Sequence, residues 1–201
     1  MDTITNPCRT LAAVVYDEGA YPDNVFMEVV VRCRSSGVAL AGIVQRRLGS
    51  TGHRCDMLLV NLATREQTSI FADRGRRSKG CQLNENAMLQ VVAQIGQDLS
   101  QGPKLLVLNK FGKVEVERAG MRELIAQAVY DAVSVVIGVP RRNLAAWREF
   151  AGDLSIELHG SLDVHDWLSR AICRSATVER NNRPVVGTSL DGSPRKRQEQ
   201  L

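Results

Sequence analysis

The sequence predicts an α/β domain of three layers, built on a parallel sheet that carries a β-hairpin insert. Three observations lead there. Short apolar runs without alternation recur along the chain, as in strands buried on both faces. Amphipathic helical stretches separate those runs. One interval, from Met57 to Phe71, switches to two short strands around a polar turn. With 201 residues, 44% hydrophobic and 24% charged, the chain has the core of one ordinary domain, and its composition excludes a disordered, collagen-like or coiled-coil protein.

The elements follow in order. Leu11 to Tyr16 (LAAVVY) is a buried strand, followed by the loop Asp17-Glu18-Gly19-Ala20-Tyr21. Pro22 suits a first helical turn, and Val25, Phe26, Val29, Val30 and Cys33 recur at helical spacing up to the stop at Gly37. Val38 to Gln45 is the second strand, so the start of the chain is a βαβ unit with a right-handed crossover. Met57 to Leu62 and Gln67 to Phe71 form the hairpin. Ala72 to Gln82 reads as a polar loop and Asn84 to Ser100 as a helix ended by Gly102-Pro103. Leu105 to Leu108 is a third buried strand, Met121 to Asp131 a helix, and Val133 to Val139 a strand closed by Pro140. Leu144 to Phe150, Ile156 to His159 and Val164 to Cys173 give a helix, a strand and a last helix. The expected organisation is an extension over residues 1–10, one domain over 11–175 with the insert at about 46–82, and a flexible tail over 176–201.

No apolar run approaches the roughly 20 residues that span a bilayer, and the N-terminus lacks a signal-peptide core, so a cytoplasmic location is expected. The five cysteines, Cys8, Cys33, Cys55, Cys81 and Cys173, form no CxxC pair and read as reduced thiols. Cys33 falls on the apolar helix face and reads as core. His53, His159 and His165 are scattered without metal-ligand spacing. No nucleophile motif is present, so neither catalytic residues nor metal ligands are nominated.

Ligands of parallel α/β sheets bind outside the carboxyl ends of the strands. The loops there offer Asp17, Glu18 and Gly19, then Asn109, Lys110 and Lys113, then Arg141, Arg142 and Asn143. A phosphate-binding loop needs G-x-x-x-x-G-K-[ST] after the first strand. The stretch from Tyr16 to Asp23 has one glycine, no lysine and no hydroxyl of Ser or Thr, and it carries three acidic groups. That argues against an ordinary nucleoside-triphosphate site. Charge is also concentrated. From Arg46 to Gly80 eight cations face three anions, an excess of five against a net +4 for the whole chain. Arginine forks and glycines in Arg74-Gly75-Arg76-Arg77-Ser78-Lys79-Gly80 suit an oxyanion, with Arg74 and Arg141 as its clamps. Aromatic residues are too sparse to support base stacking, which disfavours nucleic acid.

The stretch from Leu105 to Glu115 resembles the Walker B region of the thermophile-type nucleoside-triphosphatases of the P-loop class. Gly112, Lys113 and Glu115 stand at matching places, while Asn109 and Lys110 occupy the positions of the family's Asp and Glu. The chain also resembles, over about residues 11–170, a bacterial family known only as a domain of unknown function and often encoded near molybdate transporters. Val15-Tyr16-Asp17, Cys55-Asp56-Met57, Asp73-Arg74-Gly75, Gly80-Cys81, Asn109-Lys110-Phe111-Gly112-Lys113 with Glu115, and Gly138-Val139-Pro140-Arg141-Arg142-Asn143 with Trp147 carry that resemblance. It implies a P-loop NTPase-like fold with degenerate Walker motifs.

The function expected from these readings is non-hydrolytic or weakly active binding of an oxyanion (molybdate or tungstate) or of a nucleotide phosphate, with a link to molybdenum metabolism. The expected partner is a small anionic ligand, with a protein partner to which the bound state would signal. An atypical nucleoside-triphosphatase or phosphotransfer enzyme using Lys110 or Lys113, with Asp17 or Glu18 holding a metal, is the alternative. A nucleic-acid or protein-docking module is a weaker one.

Overall fold

The computed structural model describes residues 9–47, 57–72 and 82–181. Arg74 and the arginine-rich loop around it, Cys8, Cys55, Cys81, His53 and the chain beyond Asn181 lie outside the described residues.

Seven strands form one sheet in the order β4-β3-β2-β7-β8-β1-β9. In chain order they are β1 (Leu11–Tyr16), β2 (Leu40–Arg47), β3 (Met57–Asn61), β4 (Gln67–Ser69), β7 (Leu105–Leu108), β8 (Ser134–Pro140) and β9 (Ser155–Leu158). β2, β7, β8, β1 and β9 run parallel, and the hairpin β3–β4 extends the β2 edge with antiparallel pairing. β1, β7 and β8 are buried at every position, because helices cover both faces there. Two short strands, β5 (Phe71–Ala72) and β6 (Gln82–Leu83), pair with each other across what reads in sequence as one loop. Their two-residue length carries no period that a sequence pattern could reveal.

Helices α1 (Asp23–Ser35) and α6 (Ser161–Asn181) cover one face, packing Phe26, Val30, Cys33, Val164, Trp167 and Leu168 on Ala12, Val14, Val107 and Val136. Helices α2 (Glu85–Ser100), α4 (Arg122–Tyr130) and α5 (Leu144–Ala151) cover the other, packing Ile95, Leu99, Ile125 and Trp147 on Ala13, Leu106, Leu108 and Ile137. A one-turn helix α3 (Lys113–Val116) precedes α4. Cys33 is fully buried, as its place on the apolar stripe requires, and burial pushes its thiol up to about 11.

α6 corrects the expected boundary of the tail. It begins before Val164 and continues to Asn181, six residues into the stretch from Ala176 that composition assigns to the tail. Its start is held by Asp163, whose Oδ2 accepts from the His159 amide at 2.9 Å, and no glycine or proline interrupts residues 161–181.

Candidate functional site

β1 and β8 are neighbours, yet the helices after them leave to opposite faces, α1 to one and α5 to the other. Where adjacent strands part in this way, a crevice opens at their carboxyl ends. One rim is a β-turn from Asp17 to Ala20. The Ala20 amide donates to the Asp17 carbonyl at 3.0 Å, and Gly19 at the third position takes φ 80°, which the turn demands. The other rim is the 3-10 turn Arg141–Asn143.

Two ion pairs tie the rims together. Arg141 Nε donates to Asp17 Oδ1 at 2.7 Å, and Arg142 Nη1 donates to Glu18 Oε1. Asp17, Glu18 and Arg141 thus meet, as strand topology leads one to expect. Arg141 is not an unpaired clamp, however, since a carboxylate of its own chain occupies it. These side chains are mostly exposed, 61% for Arg141 and 73% for Asp17, so the pairs are weak and exchangeable.

The loop after β7 is held differently. Asn109 is buried, and its Nδ2 donates to Gln45 Oε1 at 3.3 Å. Phe111 packs edge-on against Trp147, and its amide donates to the Gly138 carbonyl at 2.8 Å. Asn143 Nδ2 donates to the Phe111 carbonyl at 2.7 Å, joining this loop to the β8 rim. Lys110 is half-buried, and among the described residues it has no ion-pair partner. Lys113 opens α3, is 85% exposed and pairs with Glu117 at 3.5 Å, so its charge is engaged along its own helix.

Glu115 is the buried carboxylate of this loop. Its Oε2 accepts from the Gly112 amide at 2.8 Å and its Oε1 from the Met121 amide at 3.2 Å. A Cβ on Gly120 would stand 2.3 Å from Oε1. The Gly112-Lys113-x-Glu115 pattern therefore closes the loop on itself through backbone amides. Sequence reasoning found these residues and missed this role, since burial of a glutamate leaves no mark in local pattern.

Three buried polar atoms have no partner among the described residues: Tyr16 Oη, Tyr21 Oη and Asn109 Oδ1. All lie at the carboxyl end of the sheet, on the α1 side. Gly138 separates Tyr16 from Asn109, and a Cβ there would stand 2.6 Å from the Asn109 carbonyl oxygen and 3.3 Å from Tyr16 Cε1. Tyr21 lies edge-on to Tyr16 and stacks on Phe26. Burial is the main cause that pushes the Tyr16 phenol up to about 12, the Asp23 carboxylate adding to it and Arg142 opposing it. The Tyr21 phenol is raised as well, chiefly by burial. None of Tyr16, Tyr21 and Gln45 stood out as a site residue in sequence. Gln45, the one polar side chain in the run Val38 to Gln45, was the available signal.

Among the described residues no cluster of three or more His, Cys, Asp or Glu could hold a metal ion, and no helix is long and apolar enough to cross a membrane.

The sheet order, the hairpin edge and the crevice between β1 and β8 define an α/β protein of the P-loop NTPase-like fold. THEP1 from the hyperthermophile Aquifex aeolicus superposes with a TM-score of 0.57 at 13% identity, covering 80% of this chain and 98% of that one. A human cancer-related nucleoside triphosphatase superposes with a TM-score of 0.58 at 13% identity, covering 83% of this chain and 98% of that one. The chain belongs to the family described as protein of unknown function DUF2478, whose model matches residues 11–167. It is also similar to the molybdenum import ATP-binding protein ModC 2 of Bradyrhizobium diazoefficiens, with 26% identity over 183 residues. That match covers 90% of this chain but only 20% of the relative, so the chain spans about a fifth of the length of the curated protein it matches.

Proposed function

We propose that this protein binds an oxyanion, either a nucleotide phosphate or molybdate or tungstate, at the carboxyl ends of β1, β7 and β8 without hydrolysing a nucleotide. The observation that carries the reading is the pair of rim arginines, Arg141 and Arg142, held among the described residues by exposed carboxylates across the switch-point crevice. An entering anion replaces Asp17 and Glu18 on forks suited to planar oxygen recognition, and the pairs it displaces are weak. Lys110 and the Asn143 amide stand on the neighbouring loops, and Arg74 would join from the insert.

The same geometry argues against hydrolysis. Asn109 offers a neutral amide where the resembling nucleoside-triphosphatases carry a metal-holding carboxylate, and that amide is bonded to Gln45. A neutral oxygen holds Mg²⁺ less well than a carboxylate. Lys110 cannot serve as a carboxylate base. The turn from Asp17 to Ala20 spends its amide internally rather than on a phosphate. The similarity to a molybdenum import ATP-binding protein supports testing molybdate and tungstate beside nucleotides.

Isothermal titration with ATP, GTP, molybdate and tungstate, run beside a phosphate-release assay with Mg²⁺, tests the reading. The expected result is binding of at least one of the four, weakened about tenfold in Arg141→Ala and in Arg142→Ala as a charge-assisted contact is lost, with no phosphate released. Absence of binding at millimolar concentration overturns it. Phosphate release that disappears in Lys110→Ala would replace it with the phosphotransfer reading.

A further inference from the structure

β2 leaves its parallel neighbour partway along. It pairs with β7 through Leu40, Ala41 and Gly42, and from Ile43 onward it pairs with β3. Gly42 makes this departure possible. Its φ is 104°, and a Cβ there would lie 1.9 Å from the Val107 carbonyl oxygen, so no other residue fits without moving backbone. A groove with a cavity of about 600 Å³ lies between α1 and the outer strands β2 and β3. Small-molecule sites have about this size, roughly 300–1,000 Å³, and share its construction, an apolar lining with a few polar groups. The groove lies beside β2 and β3, and only its Gln45 end approaches the loop after β7.

The lining is ordered along its length. Met27 and Val30 of α1 face Val44 of β2 and Val60 of β3, giving an apolar middle. At the lower end, near Leu62, stands Arg34, whose Nη2 donates to the Leu62 carbonyl at 3.2 Å and whose other N–H groups have no partner among the described residues. At the upper end stand Asp23 and Arg46, and Gln45 supplies an amide whose oxygen accepts from Asn109. The strand rise from Gly42 to Arg46 sets the usable length at about 13 Å.

We propose that this groove binds a small amphipathic organic anion. Its anionic group sits at Arg34, its apolar body lies along Met27, Val30, Val44 and Val60, and an uncharged polar end reaches Gln45. Charge complementarity selects the anion, because the lining holds two guanidinium groups against one carboxylate and the carboxylate lies at the end opposite Arg34.

Anilinonaphthalene sulfonate, an aromatic body with one sulfonate, is the probe. The full chain should bind it saturably at one site, with blue-shifted fluorescence. Met27→Trp, a change at a half-exposed position that fills the groove, and Arg34→Gln, which removes the charge, should each weaken binding about tenfold or more. ATP and molybdate at millimolar concentration should leave the probe in place. Near-UV circular dichroism of each variant verifies folding, and Val60→Glu provides a second obstruction should Met27→Trp alter it. The proposal is overturned if binding is not saturable, or if folded variants bind unchanged. Displacement of the probe by ATP or molybdate likewise overturns it, since the probe would then occupy the crevice. The result is independent of whether that crevice binds an oxyanion.

Discussion

Two loops at the carboxyl end of the sheet use carboxylates in opposite ways. After β1, Asp17 and Glu18 reach across open water to Arg141 and Arg142. After β7, Glu115 turns inward, 4% exposed, and takes two backbone amides. An exposed ion pair is worth less than about 1 kcal/mol, because water and salt screen it and two long side chains lose freedom. A buried carboxylate on amides is costly to remove, since each abandoned donor keeps its desolvation penalty. The first arrangement can open for a ligand, whereas the second fixes a loop.

The largest test of this contrast is Glu115→Ala. It strands the Gly112 and Met121 amides in the interior, and urea denaturation should show a loss of about 3 kcal/mol. A loss below 1 kcal/mol would mean that water replaces the carboxylate. Gly120→Ala attacks the same contact from the other side. Gly120 takes φ 68° and faces Glu115 Oε1, so a methyl group there should cost about 2 kcal/mol in the same assay. Near-normal stability would show that the carboxylate can shift without cost.

Between these extremes lies Tyr16, buried beside the open loop. The fold raises its phenol from an ordinary value of 10 to about 12, so the native state holds that proton more tightly than the unfolded chain. The resulting stabilisation is complete below pH 10 and is lost as pH climbs toward 12. Urea midpoints should therefore fall across that window. Tyr16→Phe should shallow the fall, with Tyr21 supplying the remainder, and should leave stability at pH 7 unchanged or slightly higher because it removes an unpartnered hydroxyl. An unaltered slope would assign the effect to other groups. The smallest change is expected from Asp17→Asn, less than about 0.5 kcal/mol and vanishing at high salt. A larger, salt-independent loss would make the rim a structural lock rather than an exchangeable pair.

Much of the fold was legible because apolar patterning is local. Leu11–Tyr16 and Leu105–Leu108 are strands with the ends that their apolar runs indicate, and Cys33 is core because it falls on the helical stripe with Phe26, Val29 and Val30. The ladder of β5 and β6 and the single turn of α3 escaped, being too short to show a period. Candidate site residues were legible as a set and not as contacts. The strand-end rule brings Asp17, Glu18 and Arg141 to one crevice, but their pairing makes the arginines conditional donors. Lys113, a cation close to a strand end in sequence, is engaged by Glu117.

By itself, the sequence determined the alternation of strands and helices, the hairpin, and the absence of a glycine- and lysine-bearing phosphate loop after β1, because each is written in neighbouring residues. Only the tertiary structure decided that Arg141 and Asp17, 124 positions apart, would meet, that Glu115 would be buried, and that β2 would part from β7 after Gly42. These outcomes depend on which strands lie side by side and on which face each helix covers. Burial and distance then set the strength of every charge, and local periodicity encodes neither.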